Sequence, residues 1–121
     1  MAIKLTTQQQ NQLSFLQLLP PKFAKWNSVI EQMGGGSVDE SLVRGMIRTV
    51  DQVKAGASQL KLNGLADAAG QMAATARRGG GAQVKVRALR DNLASVRMNF
   101  DGALKKASTP DPHAPEEEPA P

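Results

Sequence analysis

The stretch Val86–Leu104, VRALRDNLASVRMNFDGAL, puts Val86, Leu89, Leu93, Val96, Phe100 and Leu104 at spacings of three, four, three, four and four. At 3.6 residues per turn these six positions share one side of a helix, and Arg87, Arg90 and Arg97 fall on its wet face. The pattern predicts a helix from about Ala82 to Lys106. Gly79-Gly80-Gly81, just before it, closes a preceding helix over roughly Gly64 to Arg78, in which Leu65, Ala69, Met72 and Ala76 recur at three and four. Its inward residues are small. Further upstream a third helix is expected from about Val38 to Leu60. Leu42, Met46, Val50, Val53, Ala57 and Leu60 lie on its inner side, with Val43 and Ile47 at the edge. Ser37-Val38-Asp39-Glu40 fits the S-x-x-E capping box at its start, and Lys61 to Gly64 makes a short corner at its end.

Two more segments repeat the helical period. Phe23, Trp26, Val29, Ile30 and Met33 form the stripe of a helix that Pro21 suits in its first turn and Gly34-Gly35-Gly36 ends. Leu13 and Leu16, with Leu19 or Phe15, give a short leading helix before Pro20-Pro21 redirects the chain. No segment alternates with period two. The expected fold is all-α: a short leading helix and an antiparallel four-helix bundle, since short turns make successive helices neighbours. Gly45, Gly56 and Gly70 lower helix propensity by up to ~1 kcal/mol each relative to Ala, so packing has to hold the bundle. The bundle domain is placed at 1–107. From Ser108 the sequence STPDPHAPEEEPAP is proline-rich with no large apolar residue, and it reads as a disordered Pro/Glu-rich tail over 108–121.

Composition narrows the chemistry. The 121 residues suit one domain, and there is no cysteine, so disulfides and thiolate metal sites are excluded and a cytoplasmic protein is the simplest reading. The N-terminal MAIKLTTQQQNQLS has glutamines where a signal peptide carries an apolar block, and no apolar run approaches the ~20 residues of a membrane span. Asp111, Glu116, Glu117 and Glu118 stand in the last eleven residues, and the preceding body keeps fifteen cations against seven acids, a formal +8. Such a body suits an acidic partner. With 3% aromatic residues and no Tyr, stacking platforms for single strands are largely missing, which ranks nucleic acid below an acidic protein. Both GGG runs follow helices and lack the Lys-Ser/Thr continuation of a phosphate-binding loop. The only histidine, His113, lies in the tail as a spacer, and Met33, Met46, Met72 and Met98 read as core filler. No metal-ligand cluster, catalytic triad or cofactor motif is visible, and neither a small-molecule substrate nor a membrane partner is expected.

The outer side of the third helix is the candidate site. Asp51 turns toward solvent there with Arg44, Arg48, Ala55 and Ser58, and it can pair with Arg48 or Lys54 at spacing three. Ala55 and Ser58 leave the backbone approachable, as docking requires, although good helix formers on a wet surface would look the same.

The segment IRTVDQVKAGASQL, followed by LNGLADAAGQMAATARRGG, resembles the histidine phosphotransfer family, whose bundle displays a phosphoaccepting histidine in a motif close to H-x-L-K-G-x-A. In that alignment Asp51 stands where the family has histidine, Val53 takes the apolar place, Lys54 the lysine, Ala55 the small residue that admits the partner, and Ala57 the alanine. LADAAGQM is similar to the family's LAxLAxxLE helix. The resemblance spans roughly Phe15 to Lys106 and implies a docking surface that meets the acidic pocket of a response-regulator receiver. The departure falls on the reactive residue, because Asp51 has no imidazole nitrogen to accept the phosphoryl group. The expectation is therefore a non-catalytic, phosphotransfer-like protein of two-component signalling that binds a receiver domain or a histidine kinase. Its partner-binding residues would be Arg44, Arg48, Asp51, Lys54, Ala55, Ser58 and Lys61. A helical adaptor or scaffold of another assembly is the alternative. A nucleic-acid-binding bundle using Arg77, Arg78, Lys85, Arg87, Arg90 and Arg97 ranks below both.

Overall fold

Apolar residues at three-four spacing in every long segment turn to one core: Trp26, Ile30, Val50, Val53, Leu65, Met72, Leu89 and Val96 are each at most 2% exposed. Burying a side chain of this kind contributes about 1.5–3 kcal/mol, so the shared core, rather than helix propensity, holds these glycine-containing segments in place. The computed structural model describes residues 5–36, 39–78 and 81–110. Five helices run in order: α1 (Thr7–Leu16), α2 (Leu19–Gly34), α3 (Glu40–Gln59), α4 (Asn63–Arg77) and α5 (Ala82–Ser108). No described residue lies in a strand. No described helix is long and apolar enough to cross a membrane.

Cross-helix contacts fix the direction of α2 through α5. Asp51 meets Arg77 while the Lys54 stem lies at Gly70, so α3 and α4 are antiparallel. Asn92 Nδ2 donates to Thr75 Oγ1 at 2.7 Å while Asn99 abuts Gly64, which makes α4 and α5 antiparallel as well. Arg90 pairs with Glu31 and Phe100 stacks edge-on against Phe23, the same relation for α5 and α2. Between α2 and α3, the Trp26 indole N–H donates to Thr49 Oγ1 at 2.9 Å, giving the buried tryptophan its polar partner.

The leading helix closes one end of this bundle. Thr6 and Gln9 form a reciprocal capping box at its start, a signal present in the sequence as T-x-x-Q. Leu16, its last residue, and Leu19, the first of α2, are fully buried. Gln9 Nε2 donates to the carbonyls of Lys106 at 3.3 Å and Thr109 at 2.9 Å, and Gln12 Nε2 donates to Leu60 O at 2.8 Å. Thus α1 satisfies last-turn carbonyls of α5 and the cap carbonyl of α3, groups that a helix end leaves open.

The end of α3 has a second device. Lys61 N–H donates to Ser58 O at 3.1 Å and Leu62 N–H to Ala57 O at 2.8 Å, the two bonds of a Schellman turn. The turn needs a left-handed residue, and Lys61 takes it with φ 61°. This position favours glycine, and a side chain there costs about 1–2 kcal/mol.

Several expectations need correction. The third helix starts at Glu40 with Asp39 as N-cap, its carboxylate accepting from Ser41 N at 2.9 Å; Ser37, expected in that role, lies outside the described residues. The Ser41 backbone N–H, then its hydroxyl, hold the Asp39 carboxyl below its ordinary pKa. Leu42, read as inward, is 39% exposed. Since Arg77, the last residue of α4, lies opposite Asp51, the first turns of α3 extend beyond that neighbour. Met98, read as core, is 75% exposed; it lies two residues from both Val96 and Phe100, which on a helix is the opposite side. The last helix continues to Ser108. The tail expected over 108–121 falls outside the described residues from Asp111 onward.

Candidate functional site

On α3, burial follows the sequence stripe: Met46, Val50, Val53 and Ala57 point inward, and Arg44, Arg48, Ala55 and Ser58 are exposed. These four lie on one outer face with Asp51, whose side chain is 41% exposed. Asp51 therefore occupies the seam between that face and α4 rather than open water.

Neither expected partner holds it. Arg77, at the end of α4, directs both terminal nitrogens at the Asp51 carboxylate. Nη1 lies 3.3 Å from Oδ1, and Nη2 bonds Oδ2. The bidentate bond, and after it the Asp51 charge, raise the Arg77 pKa. The sequence suggests Arg77 only as one cation of a nucleic-acid-binding surface. Its real role depends on the antiparallel pairing of α3 and α4, which spacing within one helix does not reveal.

Lys54 turns sideways. Its aliphatic stem crosses α4 at Gly70, where an added Cβ would come within 3.3 Å of Lys54 Cε. The Gly70 position thus lets the lysine lie flat while its side chain stays exposed. One turn beyond Asp51, Ala55 is open. Its neighbour Gly56 is not: an added Cβ there would sit 2.5 Å from Phe15 Cε1. The run of small residues Ala55-Gly56-Ala57-Ser58 therefore has three environments. Gly56 receives the Phe15 ring of α1, Ala57 is in the core, and Ala55 and Ser58 remain available on the outer face. Lys61 is exposed at the left-handed turn that ends the face.

Charge is divided unevenly along the bundle. Toward the end closed by α1 lie Lys22, Lys25, Lys54, Lys61, Lys105, Lys106 and Arg97, against Asp67 and Asp101. Toward the other end lie Arg44, Arg48, Arg77, Arg78, Arg87, Arg90 and Lys85, against Glu31, Asp39, Glu40, Asp51 and Asp91. Among the described residues there are two ion pairs, Arg77–Asp51 and Arg90–Glu31, both at this second end.

Among the described residues no three His, Cys, Asp or Glu side chains gather as metal ligands. A shallow groove on another side, lined by Pro20, Phe23, Arg97, Phe100 and Asp101, runs along the contact of α2 with α5 and shares no residue with the α3 face. What the α3 face offers chemically is a row of guanidinium and ammonium donors beside an accessible stretch of helix backbone. No family model, curated protein or solved structure matches this chain.

Proposed function

We propose that the outer face of α3 is a docking surface for the acidic pocket of a response-regulator receiver domain or a histidine kinase, and that the protein modulates two-component signalling without accepting phosphate. The observation that carries this reading is the exposure of Ala55 and Ser58 beside Asp51, on a face bordered by Arg44, Arg48, Lys54 and Lys61. Small side chains permit close approach of a partner helix, and the cations steer an acidic one and fix its register. The short leading helix over one bundle end and the position of Asp51 midway along α3 also suit the phosphotransfer resemblance.

Loss of transfer follows from the chemistry at Asp51. A carboxylate lacks the nucleophilic nitrogen that yields a phosphoramidate. Arg77 engages both of its oxygens, and attack by either would require breaking that bidentate pair. In this role the Asp51–Arg77 pair keeps the centre of the face near neutral, so discrimination between partners falls to the flanking cations.

The test is a titration of purified receiver domains and histidine kinases from the source cell against the wild-type chain and Ala55→Trp. Binding to at least one wild-type receiver or kinase, lost on adding the indole, supports docking at α3. If no receiver or kinase binds, the reading is wrong; binding that survives Ala55→Trp moves the contact elsewhere and favours an adaptor using another face.

A further inference from the structure

The lysine-rich end of the bundle has charge that its own helices do not pair, and the chain carries a segment of opposite sign. Residues 111–121, DPHAPEEEPAP, contain Asp111, Glu116, Glu117 and Glu118 and no lysine or arginine. Their starting point is held in place: Gln9 bonds the Thr109 carbonyl, and Gln12, one turn along α1, bonds the Leu60 carbonyl. Two glutamine side chains and one helical turn therefore separate the C-terminal ends of α5 and α3, a span of no more than about 20 Å. Lys61 follows Leu60 directly, and Lys54 lies six residues back along α3, about 9 Å of helix.

Reach and charge agree. At ~3.1 Å per residue for an extended proline-rich chain, Glu116 to Glu118 lie roughly 22–28 Å beyond Thr109. That distance covers Lys61 and extends to the exposed ammonium of Lys54. We propose that Glu116–Glu118 dock on Lys54 and Lys61, over the C-terminal half of the α3 face, and there compete with an acidic partner. Single exposed ion pairs are weak, but a tethered segment acts at millimolar effective concentration, so several weak pairs together occupy the face without a pocket. The competition rests on the docking role given to α3; the contact itself does not.

Because the chain has no cysteine, Ala120→Cys provides a single attachment point for a nitroxide label. The expected result is paramagnetic broadening of amide signals over residues 54–61, lost when Glu116, Glu117 and Glu118 are all changed to Gln and lost near 1 M salt, where the Debye length is ~3 Å. Broadening confined to the last turn of α5, broadening centred on Arg44 and Arg48, or broadening that persists in the glutamine variant would each overturn the contact. The measurement uses the chain alone, so a negative result leaves receiver binding untouched. A positive result with no receiver binding removes the docking role and keeps the contact. Where both hold, the glutamine variant binds its partner about two- to tenfold more tightly than wild type; equal affinity overturns the competition.

Discussion

At the end of the bundle formed by the α2–α3 and α4–α5 turns, Arg77 and Arg90 each reach across to a carboxylate on a neighbouring helix, Asp51 and Glu31. At the end covered by α1, closure is made by different means. Phe15 lies on Gly56, Leu16 and Leu19 enter the core, two glutamines bond helix carbonyls, and no described lysine has an acidic partner within ion-pair distance. Two of the cations at the first end are thus held in ion pairs, whereas none of the described cations at the α1-covered end is. Exposed ion pairs contribute little to stability, whereas unpaired cations beside small residues are what an acidic surface can bind. The α3 face runs between the two regimes, from Arg44 to Lys61.

The largest predicted effect is at the α1-covered end. Leu16→Ala removes the fully buried side chain at the end of α1 and should cost about 2–5 kcal/mol in denaturant unfolding, detaching α1 from α3 and α5. A cost near that of an exposed site would mean that α1 does not close the bundle.

The same substitution should act oppositely at two places on α3. Gly45→Ala meets nothing within 4 Å and should stabilise by up to ~1 kcal/mol through helix propensity. Gly56→Ala adds the same methyl 2.5 Å from Phe15 Cε1 and should destabilise by about 1–3 kcal/mol, with Phe15→Ala removing most of the difference. Equal gains at both glycines would place Phe15 elsewhere.

Lys61→Gly should stabilise by about 1 kcal/mol, since glycine enters the left-handed region without the cost that lysine bears. The smallest effect is at the opposite end of α3. Asp39→Ala removes the N-cap and should lower Tm slightly at neutral pH. The Asp39 pKa is depressed in the folded state, so its contribution is complete above the ordinary carboxylate pKa and is lost as pH falls through the depressed value. The Tm gap between wild type and variant should therefore close in acid; a gap that widens there would contradict the cap.

These contrasts also show what the sequence makes legible. The 3-4 spacing of Val86 to Phe100, and of Met46 to Ala57, defines buried faces directly, because helix period alone decides which side each residue occupies. The same period, applied strictly, excludes Met98 from the core. The exposure of Leu42 depends instead on where α4 ends. The Asp51–Arg77 pair and the Phe15–Gly56 contact join residues 26 and 41 positions apart, and only the register between helices brings them together. Cations spaced along one helix suggest neighbours such as Arg48 and Lys54. In the fold, the competing donor comes from α4 with a bidentate geometry that an i, i+3 pair does not match. The exposure of Ala55 and Ser58 follows from period, while the covering of Gly56 does not.

In the proposed role the outer face of α3 meets an acidic partner through its cations and small residues. Mapping amide chemical-shift changes on the isotope-labelled chain during titration with a receiver that binds it tests this most directly. Docking through α3 should give shifts concentrated at Arg44, Arg48, Asp51, Lys54, Ala55, Ser58 and Lys61, weakening as salt is raised. Shifts concentrated on the α2–α5 groove around Pro20 and Arg97, with the α3 face unchanged, would contradict it.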